Sequence, residues 1–268
     1  MKSLPHDYYL RFVDGQVYDD VLFFHSKANY VIHKAYSDHA NLHFLDQEQL
    51  KLLTGNELPL YPDMDLTIDI KFSDEHRNAS LFRQESCERF SPVPLDFADV
   101  QSLMYPLLSR SRDSFKRGYP SGGALYPAEI FVCSLTEGDS TWPAPGKILH
   151  LLPQSRKFEV MQVDLDKQAL NAALLAASVD IGHPSIAVVY AAYMPKNIFK
   201  YRYRGYRMAL MEIGSIYMLV ELQAKSLGLA CRLWSAYTDS MLCRVIGLNP
   251  AMFFPMCVHL IGKQHEDH

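Results

Sequence analysis

Residues 200–227 read KYRYRGYRMALMEIGSIYMLVELQAKSL, and the fold turns on this stretch. From Met208 onward, Met208, Leu210, Met211, Ile213, Ile216, Tyr217, Leu219, Val220 and Leu222 leave little room for a polar face. A helix that is apolar all round is usually the buried centre of its domain, so a long buried central helix is expected. Gly228 is a natural C-terminal stop, since glycine takes the left-handed conformation without a Cβ penalty. Just upstream, Lys200, Arg202, Arg204 and Arg207 interleave with Tyr201, Tyr203 and Tyr206. Positive charge at a helix N-terminus opposes the helix dipole, so an anionic ligand or proton chemistry should compensate for it.

A chain of 268 residues can bury a large core. Hydrophobic content of 49% and charged content of 21% are those of an ordinary globular protein. The net charge of −4 gives no reason to expect nucleic acid as a partner. The five cysteines, Cys87, Cys133, Cys231, Cys243 and Cys257, are scattered and odd in number, which argues against a disulfide framework or a zinc site. MKSLPHDYYLRF lacks the apolar core of a secretory signal, and Ile186–Met194 is too short to cross a bilayer. A reduced, cytoplasmic protein with no membrane partner is expected.

Residues 1–75 hold few long apolar runs and read as an N-terminal appendage that docks a partner or a second copy. Within it, Asp46 and Gln49 form a capping box for a short helix closed by Gly55, and Leu66, Ile68 and Ile70 alternate as in a strand. Residues 76–268 carry an α+β pattern. Asp96 should cap a helix that Pro106 ends or kinks. Strands are expected at 128–135, as a hairpin across 147–163, at 184–193, at 229–234 and at 253–263, with 184–193 covered on both faces. A helix capped by Asp164 or Asp166 follows the hairpin, and another begins near Thr238.

Three places suit chemistry. In the loop Pro120–Pro127, PSGGALYP, adjacent glycines let backbone approach a planar ligand, although a plain tight turn is an equal reading. Lys200 and Tyr201 stand in a cationic field that lowers a lysine pKa and favours a tyrosinate, pushing both toward general-base work. Side chains of successive residues diverge in a strand, so shared duty requires a loop or a helical turn. The competing readings are a solvated basic face or an RNA-binding patch. The clusters Arg77/Ser80/Arg83 and Ser86/Arg89 could clamp a phosphate. The histidines show no metal-ligand spacing, so no metal is expected.

PSGGALYPAEIFVC, KYRYRGYRMALMEIGSIY and LWSAYTDS together resemble the SagB/McbC-type azoline dehydrogenases of the nitroreductase-like superfamily. The resemblance covers about 76–263 well and the first 75 residues loosely. It implies a nitroreductase-like fold, with a central mixed or antiparallel sheet wrapped by helices around the long central one. It also implies an FMN-dependent oxidase that converts thiazolines and oxazolines of a ribosomally made, microcin-like precursor peptide to thiazoles and oxazoles. The enzyme would be a homodimer working beside cyclodehydratase subunits of a synthetase complex. On this resemblance Lys200 and Tyr201 are the catalytic pair. Ser121, Gly122, Gly123, Ala124 and Leu125 lie along the flavin, and Ser80 and Arg83 hold its phosphate or ring edge. Ser235 and Ala236 let it pack closely, and Lys263 reaches the phosphate. Met218 stands where the family pattern has a glutamine. The alternatives are an FMN-dependent nitro or quinone reductase, or a scaffold subunit.

Overall fold

The computed structural model of the protein describes residues 7–31, 46–54, 60, 68, 81–111, 113–136, 141–175 and 179–265. Its centre is a six-stranded sheet in the order β3-β2-β1-β4-β6-β5, with every neighbouring pair antiparallel. The strands are β1 (Ala128–Ser134), β2 (Lys147–Leu152), β3 (Lys157–Asp164), β4 (Ile186–Tyr193), β5 (Ala230–Trp234) and β6 (Phe253–Gly262). All eight residues of β4 are buried, as its unbroken apolar run demands of a strand covered on both faces.

Alternation along the strands divides the core in two. Ile186, Val188, Tyr190 and Ala192 face a cluster that includes Val100, Leu103, Ile213, Ile216 and Val220. Ala187, Val189 and Ala191 face a second cluster with Leu170, Leu174 and Leu242. The helices over these faces are α3 (Phe97–Met104) and α6 (Arg204–Ser226) on one side, and α4 (Lys167–Leu174) and α7 (Asp239–Val245) on the other. Pro106 lies in a short 3₁₀ turn, Tyr105–Leu107, that ends α3. Asp166 is the residue that caps α4, accepting from the Ala169 N–H at 2.9 Å. The five cysteines are buried free thiols.

The 23-residue α6 departs from the expectation of a helix buried all round. Ala209, Ile213, Ile216, Val220 and Ala224 form its sheet-facing stripe, whereas Leu210, Met211 and Met218 are 43%, 66% and 37% exposed. A helix lying across one sheet buries only the face turned to it, and among the described residues nothing covers the outer positions Leu210, Met211 and Met218. A second correction concerns the preceding residues. They are not simply a charged lead-in to α6 but a separate helix, α5 (Pro195–Tyr201), joined to α6 by a tight turn.

Ahead of the sheet stand a 3₁₀ turn, Tyr8–Phe12, and α1 (Gly15–Lys27), capped by Asp14 accepting from the Val17 N–H at 3.2 Å. Val17 and Val21 enter the same core cluster as α6. The helix α2 (Gln47–Thr54) has the capping box, with Gln49 N–H donating to Asp46 Oδ1 at 2.8 Å and Asp46 N–H to Gln49 Oε1 at 3.3 Å. The strand expected across 66–70 and the closing Gly55 lie outside the described residues, except for Ile68. Among the described residues no helix is long and apolar enough to cross a membrane.

Candidate functional site

Lys200 and Tyr201 occupy the last turn of α5, the helical turn that shared duty requires. At a helix C-terminus the dipole favours a cation, so Lys200 is placed with the dipole rather than against it. Arg204 and Arg207 do sit in the first turn of α6. Arg202 turns away to pair with Asp14 at 3.1 Å, so the cationic cluster is divided rather than pooled around Lys200. The ammonium of Lys200 lies 5.2 Å from the centre of the Tyr201 ring.

Against these side chains lies the Gly-rich loop. A Cβ on Gly123 would collide with the Tyr201 hydroxyl and stand 3.0 Å from Lys200 Nζ, and a Cβ on Gly122 would strike Met208 Cε. Gly123 has φ +63°, and Ala124 and Tyr126 follow at +55° and +51°. Non-glycine residues rarely hold such conformations, and where they do the surroundings over-determine them, commonly at functional sites.

The surroundings here are polar and specific. Ser121 Oγ accepts from the Tyr126 N–H at 2.9 Å, and Lys196 Nζ donates to the Tyr126 carbonyl at 3.0 Å and to Glu129 at 2.9 Å. Arg117 donates its N–H to the Tyr126 hydroxyl at 3.1 Å and lays its guanidinium 4.3 Å from the centre of that ring. Below the loop, Glu212 of α6 accepts from the Ala128 N–H at 3.2 Å. Burial pushes its carboxyl up to about 7, against the opposing effect of the Ser121 hydroxyl and the Ala128 N–H. Burial would also raise Glu129, but Lys196 and His150 outweigh it and hold that carboxyl at about 2.

The other expected ligand residues stand apart. Arg83 Nε donates to Glu221 Oε1 at 2.8 Å and Nη2 to Ser86 Oγ at 3.2 Å. Glu221 Oε2 lies 3.9 Å from His259 Nε2, and His259 Nδ1 is 3.1 Å from the Tyr190 hydroxyl. Burial holds His259 down to about 3, so it is neutral. Lys263 follows the end of β6, where its carbonyl accepts from the Ser91 N–H at 2.9 Å. Ser235 and Ala236 are exposed just beyond β5. Ser80 lies outside the described residues.

Met208, touching the loop, and Glu221, touching Arg83, are thirteen residues apart on α6, a span of about 20 Å at the helical rise. One chain thus brings Ser121–Leu125 together with Lys200 and Tyr201, and keeps Arg83 apart from them. Residue types alone did not single out Glu212, Lys196 or Arg117. For Glu212 a signal existed: an acid set among the apolar residues of a core helix must be held by partners.

Comparison with known proteins follows the same lines. The pattern of the Nitroreductase family matches residues 82–263. The Escherichia coli microcin B17-processing protein McbC is 32% identical over 259 residues, spanning 96% of this chain and 94% of McbC. A chain of the E. coli microcin synthetase McbBCD complex with truncated pro-MccB17 bound superposes with a TM-score of 0.88 at 31% identity. That match covers 98% of this chain and 99% of the other. A nitroreductase-family protein of Methanocaldococcus jannaschii is 22% identical over 69% of this chain and 90% of its own. By sequence pattern, by identity along nearly its whole length and by fold, this chain belongs to the nitroreductase family, a family of oxidoreductases that are typically flavin-dependent.

Proposed function

We propose that this protein is an FMN-dependent dehydrogenase that oxidises thiazoline and oxazoline rings of a ribosomally made precursor peptide to thiazoles and oxazoles. The observation that carries the reading is the contact of Lys200 and Tyr201 with the Gly-rich loop at Gly123. A proton-accepting pair set against a ligand-binding backbone is the arrangement that aromatising an azoline requires. The ring hydrogen beside the carbonyl and imine is acidic and leaves as a proton to a base. FMN, when bound, supplies the two-electron acceptor for the second hydrogen. Reduction of nitro groups or quinones has no need of such a base.

The residues fit a flavin across two copies of the chain. The loop Ser121–Leu125 lies beside Lys200 and Tyr201 at Gly123, and Arg83 and Lys263 supply cations toward the opposite end of α6. A twofold dimer that buries Leu210, Met211 and Met218, with its axis perpendicular to α6, would run the two α6 helices antiparallel. That packing sets the loop end of one helix beside the Arg83 end of the other, so each site draws residues from both subunits. Similarity to McbC and to a chain of a synthetase complex with a pro-peptide bound supports a place among cyclodehydratase subunits acting on the same peptide.

The test is to record the absorbance of the purified protein and then incubate it with an azoline-bearing peptide. Flavin absorbance with loss of two hydrogens per ring by mass spectrometry supports the reading. In Lys200→Met and Tyr201→Phe the expected loss is about 10²- to 10⁴-fold, the usual contribution of a positioned acid or base, with flavin retained. Flavin with nitro or quinone reduction but no azoline oxidation would favour the reductase alternative. Unchanged oxidation in both variants would remove Lys200 and Tyr201 from the chemistry, and peptide binding without turnover would leave a scaffold subunit.

A further inference from the structure

The segment Phe199–Tyr206 presents two sets of side chains in opposite directions. Lys200 and Tyr201 meet the Gly-rich loop. The others are taken up by the N-terminal segment 7–27, which precedes the region matched by the family pattern. Tyr9 packs on Phe199 with ring centres 5.4 Å apart. Asp14 Oδ2 accepts from Arg202 Nη1 at 3.1 Å, and Asp20 Oδ2 accepts from the Tyr203 hydroxyl at 2.6 Å. His25 Nδ1 lies 3.2 Å from the Tyr206 hydroxyl, and the Phe24 ring meets Tyr206 edge-on at 5.6 Å. Four positions of an eight-residue stretch are thereby gripped from one side.

The gripped turn carries an unfavourable backbone. Arg202, immediately after Tyr201, has φ +49° and ψ −135°, closes α5 through its N–H to the Ile198 carbonyl at 2.9 Å, and accepts from the Gly205 N–H at 3.0 Å. Such a conformation in a side-chain-bearing residue persists only where neighbours over-determine it. An exposed pair like Asp14–Arg202 is worth little alone, but here it acts with the Tyr203–Asp20 bond, the Tyr206–His25 contact and two ring contacts. His25 is itself anchored, stacked 4.1 Å from the Phe254 ring at the start of β6. The brace therefore ties the turn to the sheet.

We infer that residues 7–27 brace the turn between α5 and α6, with Asp14, Asp20 and His25 as positioning residues that hold Lys200 and Tyr201 against the Gly-rich loop. This rests on the dehydrogenase reading for its catalytic consequence, though not for its structural one. The domain matched by the family pattern carries the reacting side chains but not the groups that aim them.

The test uses the full chain with Asp14→Asn combined with Tyr203→Phe. Asparagine keeps the helix cap while removing the charge, and phenylalanine keeps the ring while removing the bond. The expected result is amide exchange at Arg202 and Gly205 faster by about tenfold or more, with exchange in β4 unchanged. Azoline oxidation should show kcat lowered about tenfold or more with the KM for peptide and the flavin content unchanged, as for a misplaced catalytic group. Exchanging the charges, Asp14→Lys with Arg202→Asp, should restore part of the exchange protection that either change alone removes. Unaltered exchange at Arg202 and Gly205 overturns the brace. Faster exchange with full kcat overturns its catalytic role. If even the parent protein fails to oxidise azolines, the dehydrogenase reading falls while the exchange data still decide the brace.

Discussion

The Tyr201 hydroxyl fills the space directly over the α-carbon of Gly123, where any larger residue would place its Cβ. This contact joins two stretches 78 positions apart in sequence and defines the candidate reaction centre. Gly123→Ala should therefore lower activity by about 10²-fold, since displacement of a catalytic group by an ångström has that effect. Gly122→Ala should be milder, because its Cβ meets only the mobile tip of Met208. Gly146→Ala, also at positive φ (+68°) but with open space around it, should alter stability alone. Steady-state kinetics of the three variants side by side check the ordering.

Arg83 and Glu221 make a half-exposed cation on a buried acid, with side-chain exposures of 48% and 3%. Arg83→Ala leaves that carboxylate buried without its cation and should destabilise the fold by about 1–3 kcal/mol. Arg83→Lys should not recover it, since the bond uses Nε of a planar fork. Combining Arg83→Ala with Glu221→Gln should regain stability without regaining flavin affinity. Denaturant melts paired with flavin titrations separate the two effects.

Glu212 carries the pH prediction. Its folded-state pKa, near 7, stands above the ordinary carboxylate value of 4.5. The folded protein therefore binds a proton that the unfolded chain releases. The associated stability is fully present below pH 4.5 and is lost as pH rises through about 7. Glu212→Gln should remove this component, so that the stability difference between parent and variant changes across pH 5 to 8. Chemical denaturation at those two pH values measures it.

On the outer face of α6, Met211→Asp should split the expected dimer, because it places one unpaired carboxylate from each copy in the desolvated interface. Light scattering should report the monomer, and flavin absorbance should fall with it, since each proposed site draws on both subunits. A flavin-bound monomer would count against the two-copy site.

Much of the architecture was legible because it follows from local rules. The continuous apolar run of β4, the β2–β3 hairpin, the capping box at Asp46 and the left-handed stop at Gly228 depend on residues near one another in sequence. Helix α1 escaped notice, as its buried positions are only Val17, Val21 and His25 amid polar neighbours. The break between α5 and α6 was hard to read locally, because the turning residue Arg202 is neither glycine nor proline and the nearby Gly205, whose N–H closes the turn on Arg202, falls inside the first turn of α6.

The sequence by itself determined the alternation that builds the sheet, the length of α6 and the residue types able to move a proton or hold an anion. It also carried the family resemblance. Tertiary structure alone decided which of those residues meet. Lys200 and Tyr201 reach Gly123 only because α5 starts beside the beginning of β1, with Lys196 tied to Tyr126 and Glu129. Arg83 is kept from them by the length of a helix and engaged by Glu221. Local pattern records which face of an element is apolar, but the partner of a polar side chain is set by long-range packing, which no single stretch of sequence contains.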